Sequence, residues 1–200
     1  MKFEEPYFKS LNYTDYLDRK DKYLKSAQEL RDLLKSFNLI NKKTSIMDYG
    51  CAVGFLMEGF HSLGYKKIYG YDISKWATRE AKNKGLKILK KIEPRFFNIM
   101  ICLDVLEHMT DRQIEEVFEN YKSDILIVRI PCSIDGKEFA LEVSKHDKTH
   151  VNCKTKLEWA KLLSSLGYHT ILPLNLLTIY DTPGVKCALC LKPNSSYLSQ

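Results

Sequence analysis

Apolar residues return at helical spacing over residues 23–39 (Leu24, Ala27, Leu30, Leu33, Leu34, Phe37), with Lys, Arg and Glu between them. This spacing predicts an amphipathic helix lying on a larger body. Next come a short apolar run at 44–48, a glycine turn at 49–54 and a helical run at 55–63 that Gly64 ends. The pattern repeats with a strand at 67–71 that runs into Asp72, then a helix capped by Ser74 that extends to about Lys84 and stops at Gly85. A third strand is expected at 87–89, followed by an irregular piece through Pro94. Residues 97–103 are unbroken in apolar character, as in a strand buried on both faces. Beyond them the pattern predicts a helix at 111–121, a buried strand at 124–130, a helix at 155–166 stopped by Gly167, and strands at 170–180 and 185–191.

Strand and helix alternating in this way predict an α/β, Rossmann-like, doubly wound fold. The expected sheet is mostly parallel and seven-stranded, with helices on both faces and an antiparallel C-terminal strand. Neither a repeat nor a linker divides the 200 residues, so one domain is expected. Its parts are a helical cover (1–43), a half that binds the ligand (44–130) and a half facing the substrate (131–200). With 44% hydrophobic residues, 9 Gly and 6 Pro, collagen-like, low-complexity and disordered readings are excluded. No apolar run approaches a membrane span, no export signal is evident, and the six cysteines read as free thiols, so a soluble cytoplasmic protein is expected. A net charge of +6 suits an anionic ligand or partner but falls short of a nucleic-acid-binding arm.

In such a fold the ligand lies at the carboxyl ends of the first strands, where glycine lets backbone approach it closely. Gly50 and Gly54 occupy that turn. Ala52 and Phe55 stand where a dinucleotide fingerprint wants glycine, and no Gly-Lys-Ser/Thr follows, so NAD and nucleoside triphosphates lose their cradles. What remains is Asp48 before the turn and Asp72 at the end of the next strand, 22 residues after Gly50. A carboxylate there accepts both hydroxyls of a ribose. The expected ligand carries a ribose and needs no phosphates.

These residues resemble class I S-adenosylmethionine-dependent methyltransferases. The resemblance runs through Ile46-Met47-Asp48-Tyr49-Gly50-Cys51-Ala52-Val53-Gly54, Gly70-Tyr71-Asp72-Ile73-Ser74, Phe97 to His108 and Leu126 to Pro131. Val105-Leu106-Glu107-His108, and His150 ahead of a helix ending Leu166-Gly167-Tyr168, are similar to the small-molecule branch that includes ubiquinone-biosynthesis O-methyltransferases. The resemblance implies S-adenosyl-L-methionine as cofactor and S-adenosyl-L-homocysteine as product. It places Asp48 at the methionine end and the backbone of Gly50, Cys51, Ala52 and Gly54 beneath methionine and ribose. Asp72 would hold the ribose hydroxyls, Ile73 would flank the adenine, and the chain at Leu103 and Asp104 would offer a carbonyl to the amino group. Two departures stand out: Ala52 replaces the middle glycine, and the acid that usually accepts from the adenine amino group has only Glu93 as its nearest counterpart.

His108 and His150 are the candidate catalytic bases, needed only where the acceptor must lose a proton. Methyl transfer from a sulfonium is otherwise a matter of in-line positioning. Cys187, Cys190, His150 and Cys153 have zinc-ligand chemistry, but residues three apart on a strand face opposite sides, so no metal centre is expected. Pro131-Cys132-Ser133 resembles the nucleophilic cysteine of RNA cytosine methyltransferases without their second cysteine motif. Lys82, Lys84, Lys87, Lys90, Lys91 and Arg95 fit a protected sheet edge better than a nucleic-acid surface. The N-terminal tyrosines, Tyr13 and Tyr16 foremost, are expected to fold over the cofactor and wall the acceptor pocket. The expected activity is methyl transfer to a small-molecule oxygen, nitrogen or carbon. The alternatives are an RNA or protein methyltransferase, or a non-catalytic cofactor-binding regulator. The acceptor, the atom methylated and the oligomeric state stay open.

Overall fold

The computed structural model describes residues 3–9 and 15–193. These fall into two compact units, one formed by the described residues up to Lys91 with Leu176–Thr178, the other by Ile92–Asn175 with the residues from Ile179 onward.

In the first unit a 3-10 turn at Tyr16–Arg19 leads into helix α1 (Lys20–Ser36). The helix buries Ala27, Leu30 and Leu34, as their spacing predicts, and ends before Phe37, which is exposed. Strand β1 (Ile46–Tyr49) is buried at every position and pairs in parallel with β2 (Ile68–Tyr71), Ile46 opposite Ile68. Helix α2 (Phe55–Ser62) follows β1, and helix α3 (Lys75–Asn83) follows β2 with Ser74 accepting from the Ala77 N–H at 3.0 Å. Gly59 lets α1 and α2 meet closely: a Cβ there would stand 2.6 Å from Ala27 Cβ and 3.2 Å from Leu24 Cα.

The second unit holds β3 (Arg95–Leu103), helix α4 (Asp111–Asn120), β4 (Tyr121–Pro131), the short helix α5 (Glu142–His146), helix α6 (Lys156–Ser165), β5 (Thr170–Pro173) and β6 (Val185–Leu191). Its strands lie in the order β3-β4-β6-β5. β3 and β4 are parallel, while β6 runs antiparallel to both β4 and β5. Ile99–Cys102 and Ile125–Val128 are fully buried, which accounts for their unbroken apolar sequence. Thr110 and Thr155 begin α4 and α6 with reciprocal capping boxes to Gln113 and Glu158.

Among the described residues six strands form, not the expected seven. The run at 87–89 makes a single bridge, Ile88 opposite Gly70, with Gly70 N–H donating to Lys87 O and Leu89 N–H to Gly70 O. Gly85 and Pro94 leave it too short to continue. The strand expected at 170–180 stops at Pro173, which has no N–H to continue a ladder. Thr178 instead belongs to the first unit, where its N–H and hydroxyl donate to Glu29 at 3.0 and 2.7 Å and its hydroxyl accepts from Ser26 at 2.8 Å. Among the described residues no helix is long and apolar enough to cross a membrane.

Gly59→Val should destabilise the protein by about 1–3 kcal/mol through overpacking, read as a lower urea midpoint; an unchanged midpoint would show that α1 does not rest on α2 at this position.

Candidate active site

The turn after β1 is built from left-handed backbone: Gly50, Ala52 and Gly54 have φ of 77°, 46° and 82°. Glycine adopts this region readily, whereas Ala52 is held there against its preference. The restraint is visible. Ala52 N–H donates to Asp72 Oδ2 at 2.8 Å, Ser74 N–H donates to Asp72 Oδ1 at 2.8 Å, and Gly50 and Cys51 N–H both donate to Tyr71 O. Asp72 is therefore anchored by two backbone donors, and each of its oxygens retains acceptor capacity. Gly54 admits the side chain of Leu86, whose Cδ1 lies 2.3 Å from where a Cβ would stand. Gly70 leaves room for Cys51 Sγ and Met57 Sδ in the same way. Lys84 closes the turn by donating to Val53 O and to Glu58, each at 3.0 Å.

Asp48 lies buried beneath this turn. Loss of solvent, then the neighbouring Asp72 carboxylate, raise its pKa to about 7. Asp72 is itself raised, burial outweighing its two N–H donors. Ile73 is 59% exposed beside it, free to meet a ligand. Above the turn, Phe8 and Tyr16 pack with Ala52, Val53, Phe55 and Ala77 in one apolar cluster. Tyr16 stacks on Phe55 with ring centroids 5.7 Å apart, and Phe8 meets Trp76 at 5.4 Å. Burial raises the Tyr16 phenol well above its ordinary range, with Tyr23, Asp48 and Asp72 adding to it. Glu4 accepts from the Trp76 and Lys75 N–H groups at 2.9 and 3.3 Å, capping α3 from 72 and 71 residues away. Tyr13 lies outside the described residues.

The second unit gathers the other candidates. Leu103 ends β3, and Asp104 follows in left-handed backbone (φ 55°), its N–H donating to Arg129 O and its carboxylate ion-paired with the Arg129 guanidinium. Glu93 lies in an exposed stretch ahead of β3. A 3-10 turn, Leu106–His108, carries Glu107 and His108, and the Glu107 carbonyl accepts from Val151 and Asn152 N–H at 2.9 and 3.0 Å. That clamp brings His150 to His108, with ring centroids 4.7 Å apart. Desolvation, then His150, lower His108 to about 4, and desolvation also lowers His150. Both imidazoles are therefore neutral at pH 7. Glu107 is fully buried, and neither carboxylate oxygen has a hydrogen-bond partner. Burial, then Asp104, push its pKa well up.

The sequence reading passed over Asp147 and Thr149, which orient this cluster. Thr149 N–H and hydroxyl donate to Asp147 Oδ1 at 2.9 and 2.5 Å, and the same hydroxyl lies 2.9 Å from His108 Nδ1. An Asp two residues before a Thr is an Asx-turn signal that would have marked the segment. The six cysteines are free thiols, with Cys187 and Cys190 buried in β6.

The family profile for a methyltransferase domain matches residues 21–171, about three quarters of the chain. The chain belongs to this methyltransferase family. It is accordingly an S-adenosyl-L-methionine-dependent transferase of the EC 2.1.1 group. The crystal structure of magnesium protoporphyrin IX methyltransferase from Synechocystis PCC 6803 with bound SAM is 19% identical, over 92% of this chain and 85% of that one, with a TM-score of 0.61. An S-adenosylmethionine-dependent methyltransferase from Clostridium acetobutylicum is 14% identical over 89% and 95%, with a TM-score of 0.64. One from Archaeoglobus fulgidus is 14% identical over 88% and 99%, at 0.59. These likenesses show that the methyltransferase has the Rossmann-like fold. No curated protein matches the sequence.

The folded methyltransferase keeps the Asp48 proton up to about pH 7, whereas an unperturbed aspartate releases it near 3.8. Ligand-free stability should therefore fall as pH rises through that window, by up to about 4 kcal/mol at 1.36 kcal/mol per unit. Asp48→Asn should flatten the decline in urea titrations between pH 4 and pH 8; an identical slope in the variant would place the titration elsewhere.

Proposed function

We propose that this methyltransferase moves the methyl group of S-adenosyl-L-methionine by in-line displacement to an oxygen, nitrogen or carbon of a small molecule. The observation that carries the cofactor assignment is the Asp72 carboxylate, fixed by Ala52 and Ser74 N–H with acceptor capacity to spare. In this reading its oxygens take the two ribose hydroxyls, the bare backbone of residues 50–54 runs beneath the methionine and ribose, and exposed Ile73 lies along the adenine. Asp48, buried and with its pKa raised to about 7, releases its remaining proton to solvent when the cofactor brings positive charge beside it. The reacting sulfonium is already a good leaving group, so the protein's contribution is to hold donor and acceptor in line. Where the acceptor is a hydroxyl, His108 and His150 supply the base, since both hold a nitrogen lone pair at pH 7.

A small acceptor is favoured over nucleic acid because three of the six residues of the basic run are engaged within the protein. Lys84 is bound to Glu58 and Val53 O, Lys87 donates to Lys66 O at 2.9 Å, and Arg95 lies over the Phe97 ring. The protoporphyrin enzyme among the structural neighbours also takes a small molecule. Tyr16 and the apolar cluster around Phe8 serve as the cover over the cofactor turn.

Calorimetric titration with S-adenosyl-L-homocysteine tests the site. Asp72→Ala should weaken binding at least about 100-fold, since two hydrogen bonds to a charged group are worth about 1.5–3 kcal/mol each. Retained affinity in a folded variant would defeat the ribose assignment. Titration with S-adenosyl-L-methionine near pH 7, in two buffers of different ionisation enthalpy, should show release of about half a proton per site, since Asp48 titrates at about 7 in the free protein. Wild-type release equal to that of Asp48→Asn would remove Asp48 from the methionine end.

A further inference from the structure

Glu107, His108 and His150 each offer a ligand atom within 4.8 Å of the others. The carboxylate of Glu107 is the unexplained member. It has no exposed surface, and neither oxygen finds a hydrogen-bond donor. Such burial is costly in either protonation state. His150 does not relieve it: its Nε2 stands 3.9 Å from Glu107 Oε1, too far for a hydrogen bond.

The tautomers of both histidines follow from their partners. His150 Nδ1 is 3.1 Å from Ser144 O, and a carbonyl only accepts, so Nδ1 carries the hydrogen and Nε2 the lone pair. Thr149 donates its hydroxyl hydrogen to Asp147 Oδ1, so its oxygen accepts from His108 Nδ1 and the lone pair of His108 also falls on Nε2. A hydrogen bond from Nδ1–H to a carbonyl, or through a hydroxyl to a carboxylate, is the outer support that metal-binding imidazoles use to set orientation and basicity. Two neutral imidazoles and a carboxylate without a hydrogen-bond donor thus bring ligand atoms within 4.8 Å of one another. Asp147 Oδ2, 3.7 Å from His150 Nε2, adds negative charge beside it.

We propose that Glu107, His108 and His150 form a binding site for one divalent first-row transition cation. Two imidazoles and a carboxylate suit zinc, cobalt(II), manganese(II) or iron(II), and disfavour calcium and magnesium, which take oxygen ligands. At ordinary bond lengths of roughly 2.1 Å, tetrahedral ligands stand roughly 3.4 Å apart. The 3.9 Å between His150 Nε2 and Glu107 Oε1 needs only a small side-chain contraction to reach that. Three protein ligands leave a position for an oxygen donor, either water or an acceptor hydroxyl; a bound cation occupies the histidine lone pairs, so it, and no longer the histidines, would loosen the hydroxyl proton. The site replaces the cysteine set considered from the sequence: His150 joins Glu107 and His108, while Cys187 and Cys190 stay in β6.

The test uses the full chain, stripped by chelator and titrated with Zn²⁺ by calorimetry and with Co²⁺ by visible absorption. Neither measurement depends on methyl transfer. One cation per chain is expected, with cobalt d–d bands and no thiolate charge-transfer band. Glu107→Gln and His150→Asn should each weaken binding at least tenfold, whereas Cys187→Ser with Cys190→Ser should leave it unchanged. Glu107→Gln replaces the carboxyl with an amide of the same shape and should fold; circular dichroism checks this, and His150→Asn decides alone if it does not. No saturable binding by the folded wild type, unchanged affinity in the Glu107 and His150 variants, or loss of binding with the cysteines would each overturn the proposal.

Discussion

Asp72 ties two turns together, and the ligand-facing geometry of the first unit depends on that tie. Its carboxylate accepts the N–H of Ala52 from one turn and the N–H of Ser74 from the other. The first bond holds Ala52 in backbone that alanine disfavours; the second sets Asp72 at the start of α3. Left-handed residues on either side let the chain reverse without placing side chains over the ligand. The same packing buries Asp48 near Asp72, so that two acids share a poorly solvated space and both resist ionisation. In the proposed site a cofactor with positive charge would relieve this repulsion, leaving the free protein less stable than the complex.

The second unit shows a similar trade. Asp104 is answered by Arg129, but Glu107 is buried without a hydrogen-bond partner next to two neutral imidazoles. Cores rarely tolerate such an arrangement unless it is useful, because a hydrophobic residue in the same volume would serve packing better. The surrounding hydrogen bonds hold the two segments together. Val151 and Asn152 clamp the Glu107 carbonyl, Thr149 links His108 to Asp147, and Asn152 Nδ2 donates to Met109 O and Asp111 Oδ1. Rigid backbone around an unsatisfied side chain marks a position kept for chemistry.

Most of the architecture was legible because burial leaves periodic traces. The stripe of α1, the unbroken apolar runs of β3 and β4, and the glycine stops after α2, α3 and α6 all fall where the sequence placed them. What failed was length. The run at 87–89 was read as a strand from composition, but a ladder needs consecutive backbone partners and only Ile88 finds one. β5 was read through residue 180, although Pro173 and the capture of Thr178 by Glu29 end it early. Asp48 and Asp72 could be singled out because their spacing from Gly50 is local and regular. The Asp147–Thr149–His108 chain could not, because it joins segments some 40 residues apart and no periodicity records that distance.

Glu4 completes α3 by accepting from the N–H of Trp76, a residue that is synthesised 72 positions later. The cluster of Phe8 and Tyr16 likewise rests on Ala52, Val53, Phe55 and Ala77. During translation these aromatic residues emerge ahead of their partners and have nothing to rest on until the chain through α3 has left the ribosome. At roughly 5–20 residues per second they wait for several seconds as exposed apolar surface. The segment that comes to cover the turn after β1 is thus made before the residues it rests on and can dock only after them.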